Sequence, residues 1–437
     1  MKLLIQNGRV IDPATSFDHT ADIAVQDGCI VTIAKAGEKL PAGFQAEQTI
    51  NAKDCVVAPG LVDLQMRLRE PGHEHEGMLD SELKAAVAGG VTSLVCPPDT
   101  DPVLDEPGLV DMLKFRAEKL HRSRVFPLGA LTRQLQGDVL TEMAELTEAG
   151  CVGFSQAEVP LANTQVLQRA LQYAATFGYT VWLRPQDLHL GKGVAASGPL
   201  ATRLGLSGVP VAAETIALHT IFALMRTTRA RVHVCRISSA EGVELVRAAK
   251  KEGLLVTADV SINSLHLSDH DIGYFDSRAR VTPVLRQPRD RDALRAALLD
   301  GTLDALVSDH TPIDIDGKTL PFAEAESGAT GVELLLSLAL KWADETQAGL
   351  MRALDVLTAQ PAKVLCHSLQ VPSSVGTLSV GGVADIVVFQ PNEVWHVTPD
   401  QLHSQGKHTP FAYDMTGMSL PARVKATVVN GVLAYQA

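Results

Sequence analysis

The chain has 437 residues, 46% of them hydrophobic, and a formal net charge of −12, which suits one large domain with an accessory or two ordinary domains. The acidic balance and the lack of any Lys/Arg run argue against a nucleic-acid footprint, which has to neutralise phosphates. A small molecule or another protein is the expected partner.

The opening MKLLIQNGRVIDP alternates as a strand does and lacks the roughly 7 to 15 apolar residues of a signal segment. The longest uncharged run, 364–384, is broken by Ser, Gly, Pro, Gln and His and is not the predominantly apolar stretch of ~18 residues that a membrane span needs, so the expected location is the cytoplasm. Cys29, Cys55, Cys96, Cys151, Cys235 and Cys366 form no CxxC pair, and reduced, buried thiols are expected.

In chain order, residues 1–54 read as short strands: LLIQNGRVID, then ADIAVQDGCIVTIA with a hairpin signal at Asp27-Gly28, then QTINAKDCVVAP. From 55 to 374, short apolar runs alternate with amphipathic stretches. The runs are LVDLQM, VTSLVCP, RVFPLGAL, CVGFS, YTVWLRP, RVHVCRIS, LLVTADV and LDALVSD. Segments such as LDSELKAAVAGG, NTQVLQRALQYAATFG, SSAEGVELVRAAKKEG and DRDALRAALLDG carry helical apolar spacing and end in Gly, as helix C-caps do. Eight such units predict an α/β TIM (β/α)8 barrel. Residues 375–437 return to strands, in ADIVVFQP and VKATVVNGVLAYQ with Asn430-Gly431, and one small β domain built from both termini is expected.

Barrel enzymes carry their chemistry at the C-terminal ends of the strands. There, PGLVDLQMRLREPG, AAVAGGVTSLVCPPDTDPV, ALVSDHTP, SGATGVELLL, LTAQPAKVL and GGVADIVVFQP resemble the dihydroorotase and allantoinase branch of the amidohydrolase superfamily, in that family's order and across nearly the whole chain. The resemblance implies a barrel of the amidohydrolase type, and it fails at the metal ligands. Gln65 and Arg67 stand where the family has His-x-His. Gln156 replaces the bridging carboxylate, and Arg184 and Arg236 replace two further histidines. Arginine stays cationic and has no lone pair to give, so zinc is predicted absent.

Asp309 is the only surviving candidate for the family's catalytic carboxylate, and Arg69 is kept where the family grips the substrate. Asp99, Thr282 and Ile313 replace the family's remaining substrate-binding Asn, Asn and His. His73-Glu74-His75-Glu76 offers metal-binding atoms but reads more simply as a solvated lid segment. His233, an odd number of residues before Arg236, is expected on the opposite face of its strand, in the core or against a helix. The arginines form either an anion pocket or a closed ion-pair network with Asp309, Asp99 and Asp187; pairing is preferred, because buried charges pair off.

The resemblance extends to non-catalytic chains that accompany the catalytic chain of aspartate carbamoyltransferase. It implies a structural or regulatory subunit in pyrimidine biosynthesis and a homo-oligomer, with no nucleic acid and no membrane. The alternatives are an active cyclic-amide hydrolase with a reduced or displaced metal, and a module that senses an anionic effector.

Overall fold

The fold was read from a computed structural model that describes residues 2–35, 38, 40–41, 43–412 and 417–437. Both termini enter one eight-stranded sheet, in the order Val432–Gln436, Ser419–Val429, Ile386–His396, Val56–Pro59, Lys2–Asp12, Phe17–Gln26 and Cys29–Lys35, with Gln48–Asn51 also pairing Lys2–Asp12. Val56–Pro59 runs parallel to Lys2–Asp12 and antiparallel to Ile386–His396, so it stitches the N-terminal strands to the C-terminal ones.

That strand carries the sheet past residue 54, where the small domain was expected to end. Strand side chains alternate between faces, and here both faces are covered. Val57 packs with Leu3, Ile386 and Val428, while Val56 and Ala58 turn to the barrel with Phe389 and Leu420. Both expected hairpins form, with positive φ at Asp27 and Gly28 and at Asn430 and Gly431, as such two-residue turns require.

Each of the eight apolar runs contains one barrel strand. The first, Leu61–Asp63, pairs Val91–Cys96, which pairs Arg124–Pro127. Gly129–Ala130 continues that third strand onto Phe154–Ser155, followed by Thr180–Leu183, Arg231–Val234, Val256–Ser261 and Ala305–Val307, all parallel. Between the first and last strands, Ser308 N donates to Asp63 Oδ1 at 3.1 Å and Arg67 N donates to the His310 carbonyl at 2.9 Å. Gly60, which leads into the first strand, packs against the second: a Cβ there would lie 2.1 Å from Thr92 Oγ1.

Val62, Val95, Phe126, Trp182 and Val307 fill the barrel interior, while Leu94, Val181, Val232 and Leu306 face the helices. The helices fall where their apolar spacing places them, for example Leu79–Ala88, Thr164–Phe177, Ala240–Glu252 and Pro288–Asp300. No helix among the described residues is long and apolar enough to cross a membrane. The six cysteines form no disulfide; Cys96, Cys151 and Cys235 are buried, but Cys29 and Cys55 are half-buried and Cys366 is exposed.

His310, at the end of the last strand, is fully buried. Its Nε2 donates to Glu82 Oε2 at 2.8 Å, while its Nδ1 accepts from Gly331 N at 3.1 Å. Glu82 also accepts from Ser404 Oγ and Gln405 N. This carboxylate therefore ties the first barrel helix, the last strand and the returning chain together.

Candidate functional site

The C-terminal ends of the strands open on a cavity of about 510 Å³, the position where barrel enzymes work. Four non-glycine residues at these ends hold left-handed backbone: Arg69 (φ 63°), Ala157 (φ 49°), Arg236 (φ 56°) and Asp309 (φ 52°). Each conformation costs of order 1 kcal/mol, and such strain gathers at sites that position side chains.

At the centre of the mouth lies Glu158. Arg67 Nη2 donates to its Oε1 at 2.8 Å, Arg236 Nη2 donates to the same oxygen, and Arg184 Nε contacts its Oε2. Arg67 Nε also donates to Asp99 Oδ2 at 2.9 Å, and Arg236 Nη1 to Asp309 Oδ1 at 2.9 Å. Burial works against ionisation of Glu158, but the guanidiniums of Arg184, Arg236 and Arg67 outweigh it and hold the carboxyl well below the usual range. Burial likewise opposes the charges on Arg67 and Arg236, and the surrounding carboxylates more than restore them.

The expected ion-pair network therefore forms, with one correction to its members. Asp99 and Asp309 take part, but Asp187 does not. Its Oδ1 accepts from His189 N and Leu190 N at 2.9 and 2.8 Å and closes its own loop. Glu158 stands in its place, two residues beyond Gln156, the position that the resemblance aligns with the bridging carboxylate. The motif resemblance ends at Gln156 and does not mark Glu158, which the left-handed turn at Ala157 carries into the mouth.

Gln156 itself faces away from the arginines: Thr132 Oγ1 donates to its Oε1 at 3.0 Å, and its Nε2 donates to the Leu135 carbonyl at 2.7 Å. Gln65 is buried, with no partner for its Nε2 among the described residues. A zinc ion needs lone pairs from thiolate, neutral imidazole or carboxylate. Three of the five metal positions hold guanidiniums already bound to carboxylates, and the other two hold amides, so these residues do not fit zinc. Asp309 has given an oxygen to Arg236 and is not a free base.

The substrate-side residues are engaged as well. Arg69 Nε lies 3.0 Å from Glu76 Oε2 and donates to the Pro312 carbonyl at 3.0 Å. Thr282 Oγ1 and Ser327 Oγ share a hydrogen bond of 2.6 Å, and Ile313 is buried. In the His73–Glu76 stretch, Glu76 is spent on Arg69 and Glu74 accepts from Gly72 N at 3.1 Å.

His233 lies in the core, one of its two expected places, fully buried, but not on the face opposite Arg236. Its neighbour Trp182 fills the barrel interior, and their ring centroids lie 4.3 Å apart, so His233 points inward. The strand ends at Val234 and the left-handed turn at Arg236 breaks the alternation on which that expectation rested. His233, Cys235 and Asp259 bring metal-ligating atoms within 4.8 Å of one another. Both imidazole nitrogens are taken, however, by Thr257 Oγ1 and Asp259 Oδ2 at 2.8 Å each, and burial pushes the Cys235 thiol up, away from the thiolate that binds metal.

Residues 54–242 match the family described as Dihydro-orotase-like, and residues 211–434 match the Amidohydrolase family. A "Dihydroorotase-like protein" of Pseudomonas aeruginosa is 41% identical over the full length of both chains. One of Pseudomonas putida is 43% identical over all of this chain and 99% of its own, and a "Dihydroorotase" of Geobacter metallireducens is 38% identical over the full length of both. Among solved structures, L-hydantoinase from Arthrobacter aurescens superposes with a TM-score of 0.86 at 23% identity, covering 99% of this chain and 96% of its own. D-Hydantoinase from a Thermus species superposes with a TM-score of 0.81 at 21% identity, over 99% and 95%. These two share the fold. Since full-length relatives and both family matches agree, this chain belongs to the dihydroorotase-like group of the amidohydrolase family.

Proposed function

We propose that this chain is a dihydroorotase-like protein that neither binds zinc nor opens a cyclic amide. In this reading it serves, as a homo-oligomer in the cytoplasm, as a structural or regulatory subunit of the aspartate carbamoyltransferase catalytic chain in pyrimidine biosynthesis. The observation that carries the first half is the closure of Arg67, Arg184 and Arg236 on Glu158, because cations occupy the space a divalent ion needs and repel it. The second half rests on family resemblance: a scaffold with an intact core, whose five altered metal positions offer no metal-binding set, retains the shape that assembly needs.

Co-expression of this chain with the transferase chain tests the pairing. The two are expected to co-elute as one assembly, with transferase activity or oligomeric state lost when this chain is omitted. A transferase that assembles and works equally well alone overturns the subunit reading.

A hydrolase reading draws on the survival of Asp309 and Arg69 and on the name "Dihydroorotase" carried by the Geobacter metallireducens relative. It requires Asp309 to release Arg236 and act as base beside a metal-activated water. Turnover of dihydroorotate, abolished by Asp309→Ala, would favour it.

A further inference from the structure

Seven cationic side chains and four carboxylates line the cavity at the barrel mouth, and their pairings leave a remainder. Arg67, Arg184 and Arg236 are held by Glu158, Asp99 and Asp309, and Arg69 by Glu76. The fourth lining carboxylate, Glu214, accepts from the backbone and hydroxyls of Ser238 and Ser239. Arg280, Arg286 and Lys192 are left facing the cavity without a carboxylate among the described residues.

Arg280 is the most telling. Its side chain has no hydrogen-bond partner among the described residues, and its Nε is buried. Burial pulls its pKa down with no opposing carboxylate. A half-buried guanidinium of this kind costs free energy that a ligand anion can recover. Arg286, six residues further along the same loop, spends Nε on Ser238 Oγ at 2.8 Å and Nη1 on the Val209 carbonyl at 3.3 Å. Those bonds fix its position, and its nearest carboxylate, Glu214, is reached only through the Ser238 hydroxyl. Lys192 stands exposed on the loop after the fifth barrel strand, where it can close over a bound anion.

We infer that the cavity binds a small anion carrying at least two negative charges, gripped by Arg280 and Arg286 and covered by Lys192, beside the closed Glu158 network. This wall is made of residues other than the five altered metal positions and the retained Arg69. Binding there goes beyond the subunit reading and is independent of turnover, because occupancy is what the experiment measures.

The test is isothermal titration of the full chain with inorganic phosphate and, separately, with citrate. One-site saturable binding of at least one of them is expected, weakening as salt rises; phosphate alone points to a phosphoryl-bearing ligand and citrate alone to a polycarboxylate. Arg280→Gln and Lys192→Gln should each weaken it about tenfold, the size of one lost charge-assisted contact, while Arg247→Gln, on the outer surface, should leave it unchanged. Because the Arg280 side chain holds no other group, that variant should fold, and an unchanged melting temperature without ligand checks this. No saturable binding of either anion, or binding insensitive to both Arg280→Gln and Lys192→Gln, overturns the inference.

Discussion

Three guanidiniums converge on Glu158, and its removal leaves them without their shared counter-ion. Glu158→Gln should lower the stability of the chain by about 2 to 4 kcal/mol, less than a fully enclosed triad would lose, because about a third of its side chain (31%) stays open to the cavity. The urea midpoint at neutral pH measures this. The pH dependence follows from the depressed carboxyl. The stabilisation is complete above the ordinary glutamate value of about 4.5 and is lost as pH falls through the lower folded value. The gap between wild type and variant should therefore stay constant from about pH 5 to 8 and narrow only in stronger acid. A gap that closes between pH 8 and 6 would contradict the assignment. The arginines were legible in the sequence because a motif places them, whereas Glu158 was not, since its role depends on the left-handed turn at Ala157 that swings it over the mouth.

At the scale of elements, close approaches between strands and pinned loops carry the argument. Gly153 opens the fourth barrel strand, and a Cβ there would lie 2.6 Å from Trp182 Nε1 and 2.8 Å from the Thr180 carbonyl. Gly153→Ala should cost about 1 to 3 kcal/mol through overpacking, read as a lowered melting temperature with the secondary structure retained. Lys318 holds the loops after the last two strands, donating to the carbonyls of Ser277, Arg280 and Glu326 at 3.2, 2.9 and 2.7 Å. Burial pulls it from 10.5 down to about 7. Between those values the unfolded chain holds the extra proton, so this residue makes stability rise with pH across that window. Lys318→Met should flatten the rise, as denaturant midpoints at pH 7 and 9 would reveal; an identical slope in both proteins would contradict it. Apolar spacing shows the strands and helices well, because periodicity reports burial. It says nothing about strand ends, which is why alternation places His233 in the core but does not place Arg236, beyond the last strand residue Val234, relative to it.

For the whole molecule, the eight-unit rhythm and the strand-rich termini suffice to lay out the architecture. The one boundary they leave open falls at Val56–Pro59, a strand covered on both faces and so lacking the alternation that would assign it to the small sheet. A barrel with an apolar interior, capped by Arg67, Arg184 and Arg236 closed on Glu158, keeps the amidohydrolase fold while its altered metal positions withhold the lone pairs a metal requires. The most direct measurement is metal content and dihydroorotate ring opening on chain purified from zinc-supplemented cultures. The account predicts zinc far below one ion per chain and no ring opening above the uncatalysed rate. One tightly held zinc per chain, with turnover lost on chelation and on Asp309→Ala, would contradict it.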